Sequence, residues 1–305
     1  MSIARPTRRT LTAGVALAAA LALAGCSSDN PLETPSDETS DGGSETIVIG
    51  SQAYYSNEIV AEIYAQALEA AGHSVERQFS IGQRDAYMPE IESGAIDLFP
   101  EYTGNLLEFL DPETTATSPE DVFAALQEVL PEGLTALDYA EASDQDTYTV
   151  LSSFAEENGL VTIGDLAGVE GELVIGAAPE FEERPYGPAA AAEVYGVELT
   201  FSATGPTTLD SLLAGEIQVA DIYSADPAFD TGEIVALEDP ENLILSSNIV
   251  PIASSDIAEE IAEVIDPISA ALTAEALVGL NVQSTVEQVS TPEIATSWLE
   301  ENGLL

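Results

Sequence analysis

Gly94-Ala95-Ile96-Asp97-Leu98, leading to Pro100-Glu101-Tyr102-Thr103, and Gly215-Glu216-Ile217-Gln218-Val219, leading to Asp221-Ile222-Tyr223-Ser224, share one plan. In each, a helix-patterned run (87–93 and 209–214) ends in glycine, a short apolar strand follows, and a tyrosine stands eight residues after the glycine. A second landmark recurs upstream in the same order: Thr46-Ile47-Val48-Ile49-Gly50 and Glu172-Leu173-Val174-Ile175-Gly176, each a β-branched run closed by glycine. Two landmarks repeated in order indicate an internal duplication. Both tyrosines fall just beyond the C-terminal end of a strand, which is where open α/β sheets bind ligands. The alternation of strands and helices predicts mostly parallel sheets covered by helices. After Ile249-Val250-Pro251 the pattern predicts helices to the end, over 257–265, 267–280 and 292–299.

Working outward, the N-terminus sets the compartment. Arg5, Arg8 and Arg9 precede an alanine-rich apolar run, 13–24, that ends in Leu23-Ala24-Gly25-Cys26. That run is about half of the ~20 residues a membrane-spanning helix needs, so 1–25 reads as a cleaved signal peptide. Cys26 is the only cysteine, so no disulfide forms within the chain. Leu-Ala-Gly-Cys resembles the bacterial lipobox, which implies acylation of Cys26 and anchoring to the outer face of the cell membrane. The export route stays open, because Arg8-Arg9 also fits a degenerate twin-arginine signal. Residues 26–45 are Ser, Asp, Glu, Thr, Pro and Gly with almost no large apolar side chain, and are expected to form a disordered acidic tether.

Six arginines, no lysine and 55 acids give a net charge of −49. Without the signal peptide, which holds three arginines and no acid, three arginines face 55 acids for a net −52. Such a surface repels nucleic acid and anionic lipid and attracts cations. Its composition resembles that of halophilic proteins, where carboxylates keep the surface solvated.

No catalytic constellation stands out. The single histidine, His73, lies in a turn after a helix, and with the one cysteine in the lipobox neither a zinc site nor a Cys/His nucleophile pair can be built. A Gly-x-Ser-x-Gly elbow and a phosphate loop are also missing, which argues for binding rather than turnover, with no cofactor and no metal. What does stand out is tyrosine beside carboxylate: Tyr102 after Glu101, Tyr148 after Asp146-Thr147, Tyr223 after Asp221-Ile222. A quaternary ammonium donates no hydrogen bond, so aromatic faces and carboxylate charge are what a protein can offer it, at roughly 0.5–2 kcal/mol per ring.

Ile49-Gly50-Ser51-Gln52, the run from Gly94 through Pro100-Glu101-Tyr102-Thr103-Gly104-Asn105, Asp146-Thr147-Tyr148, Gly164-Asp165-Leu166-Ala167, Arg184-Pro185-Tyr186-Gly187 and Leu237-Glu238-Asp239-Pro240 occur in order. Together they resemble the substrate-binding proteins of ABC importers for glycine betaine, choline and related osmoprotectants, over nearly all of 46–305. The resemblance implies an α/β, two-lobed periplasmic-binding-protein-like fold with a ligand cleft between lobes: 46–147 plus 251–305 as lobe 1, and 148–250 as lobe 2. It implies a four-tyrosine box around the trimethylammonium group, with three members at Tyr102, Tyr148 and Tyr223. The fourth is lost near Ser247 and Asn248, and Tyr54 or Tyr55 would close the open side. It further gives Asp146 a share of the negative charge, puts Gln52 at the first strand's mouth and Asn105 in place of a donor threonine, and turns Arg184 toward a betaine carboxylate. The implied partners are a small quaternary-amine or zwitterionic solute and an ABC permease, with the chain a monomer. An amino acid or polyamine as ligand of the same fold is the competing reading.

Overall fold

The computed structural model describes residues 46–305 except Gln83, with only the backbone of Glu180; the expected signal peptide, Cys26 lipidation site and tether lie outside the described residues. The first sheet and its helices comprise β1 (Ile47–Gly50), α1 (Tyr55–Ala70), β2 (Val75–Gln78), α2 (Arg84–Glu92), β3 (Leu98–Tyr102), α3 (Thr103–Leu110), α4 (Pro119–Val129) and β4 (Leu134–Ala136). The second comprises β5 (Tyr148–Leu151), α5 (Ser152–Asn158), β6 (Val174–Ala177), α6 (Pro188–Tyr195), β7 (Thr200–Ala203), α7 (Thr208–Leu213), β8 (Val219–Asp221) and β9 (Ile234–Ala236). The chain then returns with β10 (Ile249–Ser254) and closes with α8 (Ser255–Ala271), α9 (Ala274–Thr285) and α10 (Thr291–Asn302).

The two sheets have one topology, β2-β1-β3-β10-β4 and β7-β6-β8-β5-β9, as the repeated landmarks require. In each, the Ile-Gly strand is second from one edge and parallel to both neighbours, Ile49 opposite Leu98 and Ile175 opposite Val219. The remaining two pairings of each sheet are antiparallel, so both sheets are mixed rather than mostly parallel. The cause is the chain path: β5 and β10 enter their sheets directly from a crossing segment, with no covering helix to turn them parallel. β3 and β10 set Pro100 opposite Pro251, so both missing N–H groups fall at one point of the ladder. The two proline carbonyls accept instead from Asn57 Nδ2 (2.7 Å) and Leu137 N (3.0 Å).

Apolar clusters cover both faces of each sheet. On the first, α1 turns Ile59, Ile63 and Leu68, all fully buried, toward a core shared with α8 and α10. Each such side chain contributes about 1.5–3 kcal/mol of burial. The opposite face packs Phe99 of β3 with Tyr87, Leu106 and Leu126 from the other helices.

The C-terminal region differs in detail from the periodic pattern. Pro251 lies inside a strand that runs on to Ser254, and Pro267 lies inside α8 instead of starting a helix. The break comes at Leu272-Thr273, where the Thr273 side chain caps α9 by accepting from Ala276 N (3.1 Å).

The chain passes between sheets twice, through 137–147 and 237–248, and the two passages lie side by side. Ser143 and Asn248 form an antiparallel bridge, and Ile249 N donates to Ala142 O (2.9 Å). Against them lies Gly104, where an added Cβ would meet the Ser246 carbonyl oxygen and stand 2.9 Å from Leu245 Cγ. Gly104→Ala gains about 1 kcal/mol of helix propensity but must displace backbone. It is expected to lower stability by about 2 kcal/mol or more in chemical denaturation, with Gly279→Ala, in open space, as the neutral or stabilising control.

Candidate functional site

Between the sheets lies a cavity of about 400 Å³ lined by Gln52, Tyr54, Arg84, Tyr102, Asn105, Asp144 and Tyr223. Its walls come from three places: the β1–α1 turn, α2, the end of β3 and α3 in the first lobe; the first passage; and the loop after β8 in the second lobe. A hollow of about 110 Å³ adjoins it through Asn105, Asp144 and Tyr223, and brings in Asp146, Arg184 and Ser247. A third, about 260 Å³ on the second-lobe side, is lined by Asp146, Arg184, Asp221, Tyr223 and Asp226, among others.

Each cavity residue is held by local structure. Asn57, 1 % exposed in the first turn of α1, accepts from Gln52 N (2.8 Å) and donates to Pro100 O, tying the β1–α1 turn to β3. The turn presents Tyr54 to the cavity, with its ring edge-on to Tyr55 at 4.8 Å. Tyr55 packs on the first lobe's core instead. Strand alternation sends Glu101 away from Tyr102, into full burial. There it accepts from Arg84 Nε (2.9 Å), Arg84 Nη2 (2.8 Å), Tyr87 Oη (2.7 Å) and Tyr102 N (2.9 Å). The Tyr102 ring is buried and its hydroxyl has no hydrogen-bond partner among the described residues; the neighbouring Asn57 amide is committed to Pro100.

The electrostatics are acidic. Asp144 has its carboxyl pushed up to about 6, by burial first and then by Asp146 and Asp226, despite stabilisation of the charge by Tyr54. One of its oxygens, Oδ1, is buried with no partner. Asp221 is also raised, by burial and by the adjoining Asp146 carboxyl, and its Oδ1 is likewise unpartnered. Asp146 accepts from Tyr186 Oη (2.8 Å). Three arginines lie among the described residues. Arg77 pairs with Glu62 and Glu69, and Arg84 pairs with Glu101, whereas Arg184 makes no ion pair among the described residues.

The structure therefore brings Gln52, Tyr54, Tyr102, Asn105 and Tyr223 to one cavity, and Asp146, Arg184 and Ser247 to its adjoining hollows. The Ser247 hydroxyl is engaged, donating to Asn105 Oδ1 (2.6 Å). Two expected residues line none of these spaces. Tyr148 is fully buried in the second lobe's core, its hydroxyl donating to the Tyr186 carbonyl (2.7 Å) and its ring 6.1 Å from Phe181. Asn248 is a staple between passages: its amide donates to Ala140 O and Glu141 O, its Oδ1 accepts from Ser246, and its backbone exchanges bonds with Thr103. Two cavity residues escaped the sequence reading, Arg84 and Asp144. The available signals were the scarcity of arginine and the position of Asp144 two residues before Asp146.

Residues 45–301 match the family described as the substrate-binding domain of ABC-type glycine betaine transport systems. A glycine betaine-binding protein, YehZ, of Escherichia coli (strain K12) is 25% identical over 276 residues, 84% of this chain and 90% of that protein. A glycine-betaine-binding protein of Pseudomonas aeruginosa is 25% identical over 280 residues, 86% and 89% of the two chains. Among solved structures, apo YehZ superposes with a TM-score of 0.75 at 24% identity, covering 85% of this chain and 99% of that one. A glycine betaine/carnitine/choline ABC transporter structure gives 0.79 at 16% identity with the same coverage. These likenesses establish the two-lobed fold. With a family match spanning all but the last four of the described residues, the chain belongs to the extracytoplasmic substrate-binding proteins of glycine betaine-type ABC importers.

Proposed function

We propose that the chain captures a small quaternary-ammonium solute, such as glycine betaine or choline, in the cleft between its lobes and hands it to an ABC permease. One observation carries this: the rings of Tyr54, Tyr102 and Tyr223 and a carboxylate with an unpartnered oxygen, Asp144, share one cavity. Aromatic faces attract a methylated cation that cannot donate a hydrogen bond, and the desolvated carboxylate adds charge. Tyr54 takes the place in the aromatic wall that the sequence reading gave to Tyr148. Gln52 and Asn105 supply polar contacts at the mouth, and Asp146 adds negative potential. Ser247 acts through Asn105, and Arg184 meets a ligand carboxylate from the second lobe.

Binding proceeds without turnover. Tyr223 belongs to one lobe and Tyr54 and Tyr102 to the other, so a ligand touching all three favours the closed arrangement. The bridged passages, around 137–147 and 237–248, act as the hinge between lobe 1 (46–147 plus 251–305) and lobe 2 (148–250), with Ile249 and Val250 part of β10. Cys26 carries the lipid anchor, residues 26–45 form the tether, and the folded body works as a monomer at the outer face of the membrane. The acid excess is a halophilic solvation device. Melting temperature should therefore rise between low and molar salt, because screening relieves repulsion among the carboxylates; a flat or falling curve removes the halophilic reading.

A thermal-shift and calorimetric panel of glycine betaine, choline, carnitine, a polyamine and amino acids at high salt tests the ligand class. The quaternary amines are expected to bind, and exclusive binding of a polyamine or an amino acid would replace the reading. Tyr223→Ala is the clean variant: this side chain is 55% exposed, so the substitution should weaken binding about tenfold with little change in melting temperature. Tyr102→Ala also opens a core cavity and costs stability in addition.

Because Asp144 titrates near pH 6 in the free protein, cation affinity should climb as pH rises from about 5 to 7 and then level off. Its folded pKa is raised, so the native state favours the protonated carboxyl. The ligand-free protein should lose stability relative to Asp144→Asn as pH rises from about 4 to 6. Titrations of wild type and Asp144→Asn across this range check both signs.

A further inference from the structure

We propose that Arg84 is a carboxylate-binding residue of the cleft, so that the cavity holds a zwitterion at both ends and discriminates a betaine from a bare quaternary amine. The proposal rests on the ligand class inferred above and adds a residue and a selectivity to it.

Arg84 is the first residue of α2, with a side chain 20% exposed, and it lines the same cavity as Tyr54, Tyr102, Asp144 and Tyr223. A guanidinium carries five N–H donors in a planar fork. Two of them, on Nε and Nη2, are spent on Glu101, along one edge of the fork. The other edge, Nη1 with the second Nη2 proton, makes no hydrogen bond among the described residues. That edge has the spacing that takes a second carboxylate through two parallel bonds.

The fork is also stiff. Glu101 is fully buried and receives Tyr87 Oη and Tyr102 N in addition, so the carboxylate that orients Arg84 is itself fixed. The guanidinium carbon stands 5.9 Å from the Phe109 ring centroid. A donor held in place in this way loses little side-chain entropy when it binds. The Glu101 charge cancels most of Arg84's long-range attraction, leaving directional donors rather than a field. Asp144, with its unpartnered oxygen, faces the same volume, so the cavity offers an acceptor and a donor edge together, matched to a solute of both signs. Arg184 differs: it is exposed and lines only the adjoining hollows, so it serves a ligand from the other lobe.

The test is calorimetry at pH 8 with glycine betaine, its methyl ester and choline. The proteins are wild type, Arg84→Met, the double variant Arg84→Met/Glu101→Gln, which leaves no buried unpaired charge, and Arg184→Gln. In the Arg84 variants the ratio of glycine betaine affinity to choline affinity should fall about tenfold or more, whatever shift the two ligands share through Glu101 and Tyr102. Arg184→Gln, with Arg84 intact, should keep a preference for the acid over the ester. The proposal is overturned if glycine betaine and choline weaken by the same factor, if neither changes, or if Arg184→Gln alone erases the acid-over-ester preference. This last arm needs no substitution at Arg84 and reads out even where the Arg84 variants misfold. Wild type binding none of the three ligands would instead remove the ligand class, and this inference with it.

Discussion

A carboxylate with no exposure to solvent, Glu101, organises the cleft floor. Moving such a charge out of water costs several kcal/mol unless donors replace the lost hydration. Here four do, and each belongs to an element that shapes the site. Arg84 brings the start of α2 to the cavity, Tyr87 anchors that helix to the core by stacking on Phe99 at 4.2 Å, and Tyr102 N fixes the end of β3. The Tyr102 ring is therefore positioned by its neighbour's charge. The Pro-Glu-Tyr-Thr-Gly segment works as a unit: proline gives its carbonyl to Asn57, glutamate gathers the donors, tyrosine walls the cavity, threonine bonds Asn248, and glycine lets the second passage pass close.

A second constraint comes from crossing between lobes twice. Side-by-side passages restrict relative motion, and polar side chains do the joining: Asn248 binds the first passage and Thr103, while Ser247 N donates to Gln145 Oε1 (2.9 Å). Residues this committed to the chain itself have little left to offer a solute. The acids beside them are in the opposite condition. Asp144 and Asp221 each keep an oxygen without a partner, and both have raised carboxyls because burial and neighbouring carboxylates resist their ionisation. A cation entering the cleft relieves that cost.

Much of this was legible in the chain. The paired landmarks give two sheets of one topology, and the strand-end tyrosines Tyr102 and Tyr223 do reach a common cavity, together with Gln52, Tyr54 and Asn105. What escaped depends on direction and path, which composition does not encode. Tyr148 has the same carboxylate-then-tyrosine spelling as Tyr223, yet its strand turns it inward to a carbonyl. Asn248 reads as a free amide until the neighbouring passage is laid beside it. Arg84 is 17 residues from Glu101, so its place in the cleft follows from the pairing of two elements and from no local motif. Pro251 and Pro267 read as boundaries and are interior residues, because the register with Pro100 and the packing of α8 override local preference.

The antiparallel partner of β3 has a further consequence during synthesis. β3 is complete by Tyr102, but β10 begins only at Ile249, 147 positions later. Until that late segment emerges, the backbone edge of Leu98-Phe99-Pro100-Glu101-Tyr102 has no neighbour on one side. Its side chains, all buried in the finished molecule, stand partly uncovered as well. The first lobe to be made is thus the last to be finished. A nascent chain stays unfinished and pliable through most of its translation, and an early stop leaves an open-edged fragment, the kind that chaperones hold and proteases clear.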